Sequence, residues 1–155
     1  MKIIKAGIND KDLVLPLLDQ FRTEVNKVNG LDKVSSTAIE LGAKIYQDVV
    51  NNSNSAIFLA LDDDGKGVGV ITVNKNPVLR KGEFKAEIEE LFIRPDCQGK
   101  GTGTALVSAV EKWSKENNIS YIELISGNEL VCAHKFYNKL GFVEYGKGFK
   151  KVITD

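Results

Sequence analysis

A mixed α/β (α+β) fold, with a mostly antiparallel central sheet flanked by helices, is the class this sequence predicts. Three observations carry it. Apolar runs of strand length alternate with stretches of helical spacing in the order β-α-α-β-β-β-α-β-α-β-β. Asp62-Asp63-Asp64-Gly65-Lys66-Gly67 separates two apolar runs and reads as the turn of a hairpin. Leu91-Phe92-Ile93 leads through a glycine-rich stretch into a segment with Leu106, Ala109, Val110 and Trp113 on one helical face, which makes strand, turn and helix.

Taken in order, Lys2 to Ala6 holds Ile3 and Ile4 and forms a first strand. Asn9-Asp10 can cap a helix whose Leu13, Leu17, Leu18 and Phe21 keep helical spacing through about Val25. Pro16 either kinks that helix or marks where its regular part begins. Asn26 to Val34 is polar, contains Gly30 and reads as a loop. Ser35-Ser36 cap a second helix carrying Ile39, Ala43, Ile45, Tyr46, Val49 and Val50, which Asn51 to Ser55 stops.

Ala56 to Leu61 and Val68 to Val73 are the hairpin strands. Their acidic turn is not a calcium loop, because that register puts Ala60 at position one and Ile71 at position twelve, where carboxylates are needed. Asn74 to Lys85, with Pro77, reads as a polar loop beside a substrate opening, and Ala86 to Ile93 as the strand feeding the glycine turn. Asn117-Asn118 end the following helix, and Ile119 to Ile125 is a further strand. Leu130 to Leu140 is the last helix, with Ala133, Phe136, Tyr137 and Leu140 on one face and Gly141 at C′. Phe142 to Tyr145 and Phe149 to Ile153 then read as a closing hairpin.

The 155 residues have the size of one domain, spanning 1–155, with no repeat and no linker to divide them. Lys plus Arg and Asp plus Glu are 21 each, a balance that argues against a broad electrostatic grip on nucleic acid or on an anionic membrane. The start, Met-Lys-Ile-Ile-Lys-Ala-Gly, lacks the apolar core of a signal peptide, and no run of about 18 apolar residues could span a bilayer. Cys97 and Cys132 are too few for a disulfide framework and have no metal-ligand spacing around His134, so no metal is expected. A reducing cytoplasmic setting follows as the expectation.

The chemistry concentrates in Arg94 to Thr104. Gly99, Gly101 and Gly103 remove the Cβ atoms that would keep a ligand from the backbone. Free N–H groups at the positive end of a helix dipole make an anion site suited to phosphate or pyrophosphate. The pattern is not a P-loop, since Lys100 is followed by Gly101 rather than Ser or Thr. Nor is it a dinucleotide fingerprint, because the glycines run G-x-G-x-G rather than G-x-G-x-x-G. Gln98, Gly101 and Gly103 instead fit Q/R-x-x-G-x-G/A, between Leu-Phe-Ile-Arg-Pro and Ala-Leu-Val.

This loop resembles the acetyl-CoA loop of the GNAT superfamily of N-acetyltransferases. Ala133-His134-Lys135-Phe136-Tyr137-Asn138-Lys139-Leu140-Gly141-Phe142 is similar to the family's C-terminal signature A-x-x-F-Y-x-x-x-G-F. The family often carries an Asn three residues before that Ala; Leu130 stands there, with Asn128 nearby. The resemblance implies a GNAT-like fold and acetyl-CoA as co-substrate, its pyrophosphate on the backbone of Gln98, Gly99, Lys100, Gly101, Thr102, Gly103 and Thr104. It implies pantetheine pairing like an extra strand with Leu91, Phe92 and Ile93, across a splay in the sheet, and Asn128 as a further binding position.

For the reaction, the resemblance implies direct acetyl transfer to a primary amine of a small molecule or peptide, in a ternary complex. An ammonium must lose a proton to attack, and a departing thiolate gains from an acid. Tyr137 holds the position of the family's phenol acid, and Glu87 that of the base in histone-acetylating members. In a regular strand Glu89 lies on the Glu87 face and Glu90 on the other, unless a bulge shifts the register; Glu90 is the alternative base. Cys97 has no His-Asp partner pattern, and His134 reads as a surface or capping side chain. A GNAT-fold sensor that binds acyl-CoA without turnover is the alternative, and a nucleotide-binding protein a weaker third. Family members are often dimers, so the resemblance allows a homodimer.

Overall fold

The computed structural model describes residues 1–29, 38–151 and 153, in two compact units, Met1–Leu124 and Ile125–Asp155. The first contains β1 (Lys2–Lys5), a 3-10 turn (Ile8–Asp10), α1 (Lys11–Asn29), α2 (Ala38–Asn51), β2 (Ser55–Leu61) and β3 (Gly67–Val78). It continues with β4 (Glu83–Ile93), α3 (Thr102–Glu116) and β5 (Tyr121–Leu124); the second contains α4 (Val131–Lys139). The strands form one sheet in the order β1-β2-β3-β4-β5. Neighbours are antiparallel except β4 and β5, whose parallel pairing follows from the crossover through α3.

Each face of the sheet is covered by helices whose apolar spacing meets it. Val14 and Leu17 of α1 and Tyr46 of α2 pack with Ile57, Leu59, Val70 and Phe92 on one face. Phe21 stacks on Phe92, with ring centroids 5.6 Å apart. On α3, Leu106, Val107, Val110 and Trp113 are buried, and Leu106 approaches β3 at Gly69. Burying one such side chain stabilises the fold by roughly 1.5–3 kcal/mol, so these layers outweigh any single polar contact in the unit. The Tyr46 hydroxyl donates to the Gly7 carbonyl at 2.6 Å, tying α2 to the link between β1 and α1.

Several boundaries differ from the sequence reading. α1 runs through Pro16 without interruption and continues to Asn29, so Asn26 to Asn29, expected in a loop, are helical. The expected caps Ser35 and Ser36 lie outside the described residues. On α2, Ile45 is exposed together with Leu41 one turn earlier, while Tyr46 is buried.

The largest correction concerns Asn74 to Lys85. Most of this stretch is paired strand rather than loop: Asn74, Lys75, Asn76, Pro77 and Val78 face Glu87, Ala86, Lys85, Phe84 and Glu83. Only the short turn at Leu79–Lys81 and Gly82 is left between β3 and β4. The ladder to a long partner supplies what low strand propensity does not. Pro77 is tolerated because β2 ends at the Ser55–Asn74 pair, leaving β3 an edge strand beyond it.

In the second unit α4 forms where expected, and Gly141 follows its last turn with φ 87°. The expected closing hairpin does not form among the described residues: 142–151 and 153 carry no strand. Val143, Tyr145 and Phe149 are exposed, and glycines and lysines interrupt their apolar pattern. A two-stranded ribbon without a buried face is marginal.

Candidate active site

The first component is the edge of β4. The parallel ladder to β5 covers Lys85–Ile88 opposite Tyr121–Leu124 and goes no further, whereas β3 stays paired with β4 through Ile93. From Glu89 to Ile93 the β5 side of β4 is therefore outside the ladder, because β5 ends at Leu124. The Arg94 N–H donates to the Val68 carbonyl at 2.9 Å. Antiparallel pairs alternate, so Phe92 turns its peptide groups toward β3, while Leu91 and Ile93 turn theirs toward the open edge. The Gln98 side-chain amide donates to the Ile93 carbonyl at 3.1 Å, in keeping with that direction.

The open edge leads into the glycine loop. A 3-10 turn, Pro95–Cys97, follows Arg94, whose guanidinium grips Asp96 at 3.1 and 2.6 Å. Partial desolvation works to raise the Asp96 carboxyl, but the hydrogen bond and charge of Arg94 outweigh it and hold Asp96 below its ordinary value. Gly99 and Gly101 have φ of 74° and 83°, left-handed conformations that a side chain disfavours. Gly101 is the N-cap of α3, and no side chain caps the helix. Its carbonyl accepts the first helical bond, from Ala105 at 3.0 Å, so the N–H groups of Thr102, Gly103 and Thr104 lie beyond the helical ladder. Thr102 is buried and anchors the turn; Gly101 and Thr104 are exposed.

Two loop side chains are engaged within the loop. The Lys100 ammonium donates to the Asp96 carbonyl at 2.9 Å, and Gln98 is the tether to Ile93 just described. The backbone N–H of Gln98 faces the Pro95 carbonyl at 3.4 Å.

The second component is a bulge in β4. Val73 pairs with Ile88 and Thr72 with Glu90, so Glu89 is an extra residue in the ladder. Residues opposite each other share a face, and Asn74, Thr72 and Val70 alternate along β3. Their partners Glu87, Glu90 and Phe92 therefore lie on one face, the one covered by α1 and α2. This is the shift that a bulge brings: Glu90 joins the Glu87 face instead of opposing it.

The two carboxylates are held differently. Glu87 accepts from the Asn76 amide at 2.9 Å and pairs with Lys85 at 3.3 Å. Lys85 also bonds Glu123, and that bond, with the charges of Glu87 and Glu123, holds its ammonium above the usual value against desolvation. Glu90 is pushed up to about 7 by loss of hydration and, second, by the neighbouring charge of Glu89. Glu89 itself is tied by the Asn74 amide at 3.3 Å, and Asn74 accepts from the buried Ser55 hydroxyl at 2.8 Å. Asn74, Asn76, Thr72 and Lys85 escaped the sequence reading. Their signal was there, as polar residues alternating along β3 and repeating on β4.

In the second unit Tyr137 lies on α4 between Phe136 and Phe142, edge to face, with centroids 5.3 and 5.7 Å away. Burial raises its phenol above the ordinary value, so it stays protonated at neutral pH. Asn128 is exposed in the turn before α4. Among the described residues no cluster of His, Cys, Asp and Glu could hold a metal ion, and no helix is long and apolar enough to cross a membrane.

Comparison with known proteins adds the family. The model of the acetyltransferase (GNAT) family matches residues 27–142. An uncharacterized N-acetyltransferase, MJ1207, of Methanocaldococcus jannaschii is 37% identical over 56% of this chain and 39% of its own length. An aminoglycoside N(6')-acetyltransferase type 1 of Stenotrophomonas maltophilia is 30% identical over 60% of this chain and 63% of its own. The chain thus spans less than two thirds of either relative. Among solved structures, a tetramutant of the BH1408 protein of Bacillus halodurans superposes with a TM-score of 0.84 at 22% identity, covering 99% of this chain and all of that one, which speaks for the fold. With three quarters of its length under that family model, the chain belongs to the acetyltransferase (GNAT) family of acyltransferases.

Proposed function

We propose that the chain is an acetyl-CoA-dependent N-acetyltransferase acting on a primary amine of a small molecule or peptide. The observation that carries the proposal is the open β4 edge running into an uncapped helix N-terminus. The outward peptide groups of Leu91 and Ile93 suit the two amides of pantetheine, Phe92 lines the strand between them, and the N–H groups from Gly99 to Thr104 suit its pyrophosphate. Acetyl-CoA supplies the activated thioester, and transfer is direct within a ternary complex. A screen of amine acceptors, read as free-thiol release, tests this. CoA binding without thiol release across the panel favours a non-catalytic sensor, and stabilisation by ATP or NAD rather than CoA in a thermal-shift comparison favours a nucleotide-binding protein.

For proton transfer the chemistry supports Glu90 as the base. A carboxyl that titrates near 7 can take a proton from an ammonium and still be ionised for part of the time at neutral pH. Glu87, bonded by Asn76 and Lys85, is better suited to orienting the face. Tyr137, kept neutral by burial, is the donor to the departing thiolate. The acidic surroundings of Glu87, Glu89 and Glu90 favour a cationic acceptor, and an aminoglycoside, on which one relative acts by name, belongs in the screen. The same reading has the 155 residues working as one catalytic domain in the cytoplasm.

A further inference from the structure

We propose that Thr72 is a positioning residue for Glu90, whose hydroxyl fixes the β4 bulge that turns the Glu90 side chain onto the Glu87 face. The inference rests on the reading of Glu90 as base and deepens it. An extra residue in one strand disrupts the ladder, and the bulged segment then depends on other contacts to hold a single conformation. Here the Glu90 N–H donates to the Thr72 hydroxyl at 3.2 Å, from the residue directly opposite. Thr72 is 8% exposed, within a strand whose neighbours Ile71 and Val73 are buried. Its own position is therefore fixed by packing, and the hydroxyl is a rigid post rather than a mobile cap.

On the far side of the bulge the Ser55–Asn74 pair holds Glu89. The bulge is thus clamped at both of its residues, Glu89 through the side chain and Glu90 through the backbone. Valine at 72 keeps the β-branched shape but offers no side-chain acceptor, so the Glu90 N–H loses its contact with the hydroxyl and the bulge the bond that fixes the direction of the carboxyl.

Among the described residues, the charged groups on elements around Glu90 include these. On β4 they are Glu89, Glu87 and Lys85, and on β5 Glu123, which is opposite Glu87 and bonded to Lys85. From β3 come the neutral Asn74 and Thr72. On α1, near Phe21, Arg22 pairs with Asp19 and Lys27 with Glu24. Among these, the Glu89 charge is the one that acts on Glu90.

The experiment measures the Glu90 carboxyl titration by carbon NMR, assigned with Glu90→Gln, beside pH profiles of kcat/KM. In Thr72→Val the Glu90 midpoint moves by about one unit and kcat/KM falls about 10- to 100-fold. Thr72→Ser restores both, and Thr72→Val adds no loss in a Glu90→Gln background. A Glu90 titration unmoved in Thr72→Val overturns the proposal, as does a loss that persists in full in the Gln background. Full activity of Glu90→Gln removes the base reading alone, and the NMR midpoint then decides on Thr72 by itself. Should the valine variant fail to fold, Thr72→Ala, which removes the same acceptor with less bulk, is read in the same way.

Discussion

The glycine loop and the β4 bulge lie in one continuous stretch, Glu89 to Thr104, and are built by opposite means. The loop is made of backbone: left-handed glycines, an uncapped helix start, and side chains such as Gln98 and Lys100 that fasten the turn to itself. The bulge is made of side chains from three strands, with Ser55, Asn74 and Thr72 converging on two consecutive glutamates. A site for a large anion needs many donors and tolerates exposure, because the donors are fixed by chain geometry. A proton acceptor needs one group in a drier setting, and such a setting has to be assembled from neighbours.

Substitutions separate the two regions by the size and kind of effect. Glu90→Gln has the largest: kcat/KM falls by roughly 10²- to 10⁴-fold, and the acid limb with its midpoint near pH 7 disappears from the pH profile. Stability moves the other way. The Glu90 carboxyl is raised from its ordinary 4.5 to about 7, so its contribution is full below pH 4.5 and lost as pH rises through 7. The Gln variant, lacking that titration, gains on wild type over this window, by at most about 3 kcal/mol at pH 8, which denaturant melts at pH 4 and pH 8 compare.

Tyr137→Phe comes next, with kcat lowered by about 10²-fold, the lower end of general acid catalysis, since a thiolate is already a fair leaving group. Affinity for CoA and the melting temperature hold, which titration calorimetry and a thermal scan check. Gly101→Val follows: a β-branched residue at φ 83° distorts the turn, and affinity for CoA drops about tenfold with little effect on kcat at saturation. Lys100→Ala, removing an ammonium already occupied by the Asp96 carbonyl, weakens CoA binding less. The smallest effect is at Glu87→Gln, where Asn76 still has an acceptor and kcat/KM changes only about threefold. A loss at Glu87 equal to that at Glu90 would reverse the assignment of the base.

The same contrast governs what could be read from residues alone. The loop, α3 and the helix ending at Gly141 are local, so Gln98, the glycines and the apolar spacing of Leu106, Val110 and Trp113 announce them within one window. The bulge is a property of two strands at once. No feature of Glu87 to Glu90 alone tells that Glu89 is skipped, since the register is set by β3 and by Thr72 opposite. Asn74 to Lys85 misled for a related reason: its polar residues are half-buried and partnered within the ladder, Asn76 by Glu87 and Lys75 by the Phe84 ring. The closing segment misled in the other direction, because Phe142, Val143 and Tyr145 have strand propensity but no described strand to join.

The edge that β3 presents beyond Asn74 bears on how the protein behaves when concentrated. The Lys75 N–H points away from β4, donating to Asn54 at 2.7 Å. By alternation the nitrogen of Pro77 points the same way, where β2 has ended and no described strand pairs with β3. A proline there has no proton to offer an incoming strand, which disfavours edge-to-edge pairing along that margin. Pro77→Thr restores the missing donor on an otherwise intact ribbon. Its expected consequence is a solution that scatters more light on concentration than wild type, with the fold unchanged by circular dichroism.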